Sequence, residues 1–192
     1  MDFNTVTQFE LDLAKWWGSP YAVATDCCTH AIELCLRYTD TMSATCPQHT
    51  YISVPFTFEK LGIQWSFRDL HWEDYYSITD QITDSAVYWQ PGGYLGGLQC
   101  LSFQFKKPLN LGRGGAILCD TVDDWVELKK LTYDGRIGDK PWAKQPIDSI
   151  GYHYYMTPET AQLGIDKLPD SVATKSWGYQ DYPDLTKMPV FG

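Results

Sequence analysis

The chain has 192 residues, of which 44% are hydrophobic and 15% aromatic, a composition typical of a globular domain and not of a disordered chain. Its formal net charge of −9 argues against a nucleic-acid-binding or membrane-surface protein, although it does not exclude one local cationic pocket. No membrane span or signal-peptide pattern is present and the six cysteines form no small-domain disulfide framework, so we expect a cytoplasmic protein with reduced, mostly buried thiols.

The predicted elements alternate between helices and short strands. Helical spacing of apolar residues predicts helices over residues 2–17, 28–38, 121–133 and 157–168. Short apolar runs indicate strands over residues 21–25, 50–54, 63–69, 81–84, 98–103 and 114–119. Residues 169–192 combine prolines with aromatic residues, which indicates an extended arm without a core of its own. Strands mixed with helices predict an α/β layer architecture.

Residues 102–115, SFQFKKPLNLGRGG, are the most informative segment of the chain. Two adjacent lysines follow an apolar strand and precede a glycine turn. A lysine pair is usually a solvated surface feature. At a strand end among apolar residues, however, a lysine is partly desolvated, which lowers the pKa of its amine and favours reaction of the neutral amine with a carbonyl group.

This segment resembles the lysine segment of the DegT/DnrJ/StrS-type sugar aminotransferases, a branch of the fold-type I pyridoxal-phosphate enzymes. The family pattern is Ser-Phe, three residues, Lys-Asn and, after a short gap, Gly-Glu-Gly-Gly-Ala. Ser102 opens the pattern here, and Lys107 falls at the fifth position after it. The resemblance therefore implies that Lys107, and not Lys106, forms the Schiff base with pyridoxal 5′-phosphate. Pro108 replaces the usual Asn, and Arg113 replaces the usual Glu.

Two segments nearer the N-terminus follow the same family order. AVATDCCTHAIELCL is similar to the strand–Ser-Gly-Thr–helix segment that holds the cofactor phosphate; Cys27 and Cys28 take the Ser and Gly places, and Thr29 matches. Asp26 adds a carboxylate, which repels a phosphate, and an ordinary capped helix start is the alternative interpretation. VPFTFEKLGIQWSFRDL places Phe58 where the family has the ring that stacks on the pyridine, although a single Phe is usually a core residue.

Two more segments complete the resemblance. ITDSAVYW matches Asp84 to the aspartate that pairs with the pyridine nitrogen, with Val87 in place of a glutamine. A turn or helix-cap residue is the ordinary role of a lone aspartate. GYHYYMTPETAQLG places His153 where the family has an Asn that reaches the cofactor phosphate of the neighbouring subunit, and Tyr155 where it has an Arg. If Arg113 and Tyr155 meet, a cation–π or hydrogen-bonded pair takes the place of the family's ion pair.

The resemblance implies an α/β three-layer sandwich with a reduced, mostly parallel sheet like that of the large domain of fold-type I enzymes. Family members are about twice as long; residues are missing here between Ile78 and Gln81 and after Leu168. We therefore expect residues 1–168 to form a reduced pyridoxal-phosphate-binding domain and residues 169–192 to form an arm. The implied catalytic residue is Lys107, and the implied cofactor-binding residues are Cys28, Thr29, Phe58, Asp84, Ser102 and His153.

The implied activity is transfer of an amino group from an amino acid to a keto sugar, usually nucleotide-linked, by a homodimer with shared active sites. The alternative is a non-catalytic relative that binds the cofactor or serves as a partner subunit, which the substitutions at Cys27, Cys28, Val87 and Pro108 favour. A metal site built from the nearby cysteines and histidines fits no regular zinc spacing, and we expect none.

Overall fold

The structure is a computed structural model that describes residues 2–138, 140–173 and 175–192. It contains five α-helices: α1 Asn4–Trp17, α2 Cys28–Tyr38, α3 Ser53–Leu61, α4 Val122–Thr132 and α5 Pro158–Lys167. Its seven strands are β1 Tyr21–Thr25, β2 Ser43–Pro47, β3 Gln64–Arg68, β4 Tyr76–Ser77, β5 Ile82–Asp84, β6 Leu98–Ser102 and β7 Gly115–Cys119. Within these described residues, no helix has the length and hydrophobicity that a membrane span requires.

The strands form one five-stranded sheet, in the order β1-β7-β6-β5-β4, and a separate parallel pair, β2-β3. The α/β class is as predicted, but the mostly parallel sheet is not, because only β5 and β6 pair in parallel within the larger sheet. The short connection between Ile78 and Gln81 explains part of the difference. A parallel pair needs a crossover of about a dozen residues, so β4 and β5 can pair only as an antiparallel hairpin.

Helices cover both faces of the five-stranded sheet. Along β7, Ala116 and Leu118 pack into an apolar cluster with α1 and α5, whereas Ile117 and Cys119 pack into a second cluster with α2 and α4. This alternation follows from the two-residue period of a strand. Every residue of β6 and β7 is buried, so the sheet centre is the middle layer of a three-layer sandwich, as predicted.

Two predicted segments differ from the structure. Residues 50–54 form no strand; β2 lies at Ser43–Pro47, and helix α3 begins at Ser53. Residues 169–173 and 175–192, the described part of the predicted extended arm, form several 3₁₀ turns and bury Leu185 almost completely, so this segment packs against the rest of the chain. All six cysteines are free, and four of them are buried, as expected for reduced core thiols.

Candidate active site

Lys107 lies in the loop that joins the last strand residue of β6 to the start of β7. Phe103 and Leu109 are fully buried and anchor the loop in the apolar core. The Lys107 N–H donates to the Gln104 carbonyl oxygen at 2.8 Å, which closes a tight turn. Lys106 is exposed beside the Phe105 ring, whereas Lys107 is half-buried. Of the two adjacent lysines, only Lys107 is therefore partly removed from water.

Lys107 and Asp84 share one partly desolvated environment at the ends of two neighbouring strands. Asp84 is the last residue of β5, and its carboxylate accepts hydrogen bonds from the Tyr76 hydroxyl and the Ala86 N–H. Burial lowers the pKa of Lys107, and the electrostatic influence of the neighbouring Cys28 and Asp84 partly offsets this shift. Burial raises the pKa of Asp84, although Lys107 opposes this shift. Both shifts favour the neutral forms, which is the expected result of desolvation.

The N-terminus of α2 lies directly against the start of β7. A Cβ atom on Gly115 would lie 2.5 Å from the Cys27 carbonyl carbon and the Cys28 nitrogen, so this close approach requires glycine. The first N–H groups of a helix have no intrahelical acceptor, and here Cys28 and Thr29 supply them. The Thr29 hydroxyl lies 2.8 Å from the Ser53 hydroxyl at the start of α3. Two helix N-termini therefore meet beside the lysine loop.

Asp26 is held between two cationic side chains. Its carboxylate lies 2.7 Å from His30 Nδ1 and accepts a 2.8 Å hydrogen bond from Arg113 Nη2. Burial alone would raise the pKa of Asp26, but the hydrogen bonds from His30 and Arg113 outweigh it and hold the pKa below its usual value. Burial also acts against the charged form of His30, but the hydrogen bond to Asp26 outweighs this effect and raises the pKa of His30 to about 9. At neutral pH this group therefore carries one net positive charge, which removes the repulsion expected between Asp26 and a phosphate.

The Asp26 contact also overturns one hypothesis and bears on another. Arg113 pairs with Asp26 and not with Tyr155, whose ring packs against Phe3, so the proposed cation–π pair is wrong.

The ligand atoms of Asp26, Cys27 and His30 lie within 4.8 Å of one another, close enough to bind one metal ion. The guanidinium of Arg113 and the positive end of α2 both oppose a cation there.

The structure corrects the predicted ring-stacking residue. Phe58 lies in α3 with no exposed surface, packed near Trp65 in the core, so its ring offers no face to a cofactor. The prediction placed the strand over residues 50–54, whereas β2 ends at Pro47. Tyr51 follows that strand end and is 60% exposed.

The two remaining predicted residues lie in different places. Ser102, the last residue of β6, is nearly buried and pairs with Gly115, so it is close to the start of α2. His153 is 68% exposed, and its Nδ1 lies 2.9 Å from an Asp134 carboxylate oxygen near the end of α4. The structure thus gathers Cys28, Thr29, Asp84, Ser102 and Lys107, and leaves His153 on the surface.

Two aromatic residues from the C-terminal arm complete the surroundings of Lys107 and Asp84. The ring centroid of Trp177 is 6.0 Å from Lys107 Nζ. Burial and, to a smaller extent, the nearby Asp84 carboxylate raise the pKa of the Tyr182 phenol. Sequence reasoning missed both residues because nothing in the local pattern of the arm indicates where it docks.

One protein-family model matches most of the chain. The DegT/DnrJ/EryC1/StrS aminotransferase family matches residues 1–88 and 83–175. No curated protein matches the chain.

Solved structures with the same fold belong to longer proteins. The putative sugar aminotransferase Spr1654 from Streptococcus pneumoniae, in its PLP-form, is 18% identical with a TM-score of 0.73, over 87% of this chain and 59% of that one. A 3-amino-5-hydroxybenzoic acid synthase is 17% identical with a TM-score of 0.72, over 87% of this chain and 56% of that one. PseC of Helicobacter pylori, an aminotransferase involved in pseudoaminic acid biosynthesis, is 14% identical with a TM-score of 0.69, over 86% of this chain and 57% of that one. The chain therefore spans less than two thirds of the length of these neighbours.

Proposed function

Since the chain belongs to the DegT/DnrJ/EryC1/StrS aminotransferase family, we propose that it binds pyridoxal 5′-phosphate covalently through Lys107 and transfers an amino group from an amino acid to a keto sugar. The observation that carries the proposal is the placement of a partly buried amine, Lys107, near a buried carboxylate, Asp84, at neighbouring strand ends beside a helix N-terminus. A neutral amine is the form that attacks an aldehyde, and burial of Lys107 increases the neutral fraction at a given pH.

The residues present fit this cofactor at both ends. The N-terminus of α2, with the net positive group of Asp26, His30 and Arg113, suits a phosphate. Asp84 suits a protonated ring nitrogen, because such a cation would supply the positive charge that a buried carboxylate needs. We propose that Tyr51, an exposed aromatic residue that follows the end of β2, supplies the apolar wall that the buried Phe58 does not.

Each residue then has a distinct task in the proposed reaction. When bound, pyridoxal phosphate supplies an electron-accepting ring that stabilises negative charge on the substrate carbon. Lys107 Nζ takes the proton from the α-carbon of the amino donor and delivers a proton when the acceptor is aminated. Asp84 holds the proton on the ring nitrogen, and the Tyr76 hydroxyl fixes the orientation of that carboxylate. The α2 N-terminus, with the N–H groups of Cys28 and Thr29, would hold the phosphate.

An absorption titration with pyridoxal phosphate tests the attachment. Borohydride reduction followed by peptide mass spectrometry would locate the modified lysine, and Lys106→Ala is the matched control for Lys107→Ala because the two residues are adjacent. We expect a visible aldimine band in the wild type and in Lys106→Ala, and none in Lys107→Ala. Borohydride should abolish this band and leave the reduced cofactor attached to Lys107. An aldimine band in Lys107→Ala, or equal modification of both lysines, would overturn the proposal.

A non-catalytic relative is the second candidate, and the substitutions at Cys27, Cys28, Val87 and Pro108 favour it. Amine transfer from glutamate to a panel of keto acids and nucleotide-linked keto sugars separates the two functions. Cofactor attachment with turnover supports the enzyme. Attachment at Lys107 without transfer to any acceptor supports the cofactor-binding or partner subunit.

The proposed enzyme is a homodimer in which His153 reaches the phosphate of the other subunit. The 68% exposure of the His153 side chain supports this role, because much of the imidazole is accessible to a second copy even though Nδ1 lies 2.9 Å from Asp134. Sedimentation velocity with and without pyridoxal phosphate tests the assembly. A monomer at all concentrations would exclude the shared site.

A further inference from the structure

The C-terminal arm, defined here as residues 175–192, follows a fixed path along the strand ends that carry the candidate site. Three backbone hydrogen bonds anchor it: Asp74 N–H to the Trp177 carbonyl (2.7 Å), Tyr179 N–H to the Trp72 carbonyl (3.0 Å) and Leu185 N–H to the Gln48 carbonyl (2.9 Å). Backbone bonds set the register of the arm, so its side chains meet the site at defined positions.

Trp177 is the arm residue that reaches Lys107. One lysine of the arm, Lys175, lies 3.7 Å from the indole centroid, whereas Lys107 Nζ lies 6.0 Å from it. A distance of 6.0 Å is at the outer limit of a cation–π interaction, where the attraction is weak. The main effect of the indole on Lys107 is therefore to displace water from the amine.

Tyr182 places the arm on the Asp84 side of the site as well. The Tyr182 carbonyl lies 2.9 Å from His49 Nδ1, and its ring packs 5.6 Å from Trp72. The Trp72 ring lies 5.0 Å from the ring of Tyr76, whose hydroxyl donates to Asp84. The arm thus lies near Lys107 through Trp177 and near Asp84 through the packing of Tyr182 on Trp72.

We propose that Trp177 is a positioning residue for Lys107, and that the docked arm is the wall that keeps water from the reactive amine. The inference rests on the proposed role of Lys107. Gly178 explains how the arm comes so close, since a Cβ atom there would lie 2.8 Å from the Trp72 carbonyl oxygen. Without the indole, water solvates the ammonium form of Lys107 and the free amine becomes scarcer at a given pH.

The pH dependence of lysine labelling tests this inference without any cofactor. The full chain is labelled with a trace amount of an amine-reactive anhydride across a pH series, and mass spectrometry follows Lys107 and Lys106 in the same peptide. In Trp177→Ala we expect the labelling midpoint of Lys107 to rise by about half to one pH unit, a roughly 3- to 10-fold loss of free amine near neutral pH. Lys106 should keep its midpoint. Trp142→Ala, which removes a 68% exposed tryptophan, is the matched control.

Two further variants keep the test decisive if Trp177→Ala folds poorly. Trp177→Phe retains an apolar ring and should keep most of the wild-type midpoint. Gly178→Ala should displace the arm and raise the Lys107 midpoint with the indole still present. An unchanged midpoint in Trp177→Ala or Gly178→Ala would overturn the inference. Cofactor attachment to Lys107 with an unchanged midpoint would refute the arm's role alone, whereas a shifted midpoint without attachment would refute the cofactor proposal alone.

Discussion

The two regions beside the candidate site differ in how deeply their residues are buried. The sheet side, β5 to β7 with the start of α2, is built from strands whose residues are almost all buried. The arm side, residues 175–192, is largely exposed and is held by backbone bonds, aromatic contacts and one fully buried side chain, Leu185. The buried strands fix Asp84 and the start of the lysine loop, whereas the proposed role of the exposed arm is to keep water from Lys107.

The largest expected effect compares the same truncation on the two sides. Leu101 in β6 and Leu185 in the arm are both almost completely buried. Leu101→Ala leaves a cavity in the sheet centre and should lower the free energy of unfolding by about 3 kcal/mol. Leu185→Ala should lower it by about 1 kcal/mol or less, because an arm can detach locally while the sheet remains folded.

Urea denaturation monitored by circular dichroism measures both losses, and limited proteolysis detects a detached arm. Early cleavage within residues 175–192 is expected in Leu185→Ala and not in Leu101→Ala. Equal losses of unfolding free energy in the two variants would mean that the arm is part of the same cooperative unit. The comparison drawn between the two sides would then be wrong.

The sheet side is also the part of the fold that sequence patterns predicted best. The bounds of β1 and α2 agree with prediction to the residue, because uninterrupted apolar periodicity ends there at clear turn residues. β2 was missed because Ser43–Pro47 combines serine, threonine and proline, and carries little apolar signal. The prediction of a mostly parallel sheet was wrong; at β4 and β5 the reason is the short connection between them, which allows only an antiparallel pair.

The site was predictable only where its residues lie close in sequence to a strong motif. The glycine register selected Lys107, and the strand–helix junction selected Cys28 and Thr29. Phe58 was wrong because a shift in one strand position moves every residue that follows it. The contribution of Trp177 could not be predicted, since its contact with Lys107 spans 70 residues and depends on how the arm docks.

A smaller effect concerns the pH dependence of the sheet side. The pKa of His30 is raised to about 9 in the folded chain, against about 6.5 in an unfolded chain. Its contribution to stability is therefore fully present below pH 6.5 and is lost as the pH rises through 9. For this partly exposed contact we expect a loss of about 1 kcal/mol across that window.

Urea denaturation at several pH values measures the loss, and His30→Gln provides the reference because it cannot change charge. The difference in unfolding free energy between wild type and His30→Gln should shrink as the pH increases. A constant difference over the window would mean that Asp26 does not stabilise the charged imidazole.

The smallest effect on stability distinguishes two exposed ion pairs, one on each side of the site. Arg113 pairs with Asp26 at the α2 N-terminus, and Lys175 pairs with Asp181 within the arm, each at 2.8 Å. Exposed pairs contribute little, so Arg113→Gln and Lys175→Gln should each change the unfolding free energy by less than about 0.5 kcal/mol.

The effects of these two substitutions on phosphate binding should differ, because only Arg113 lies beside the helix N-terminus. We expect Arg113→Gln to weaken binding of pyridoxal phosphate about threefold or more, measured by titration, and Lys175→Gln to leave it unchanged. Equal weakening in both variants would show that the overall charge of the chain, and not the α2 N-terminus, attracts the phosphate.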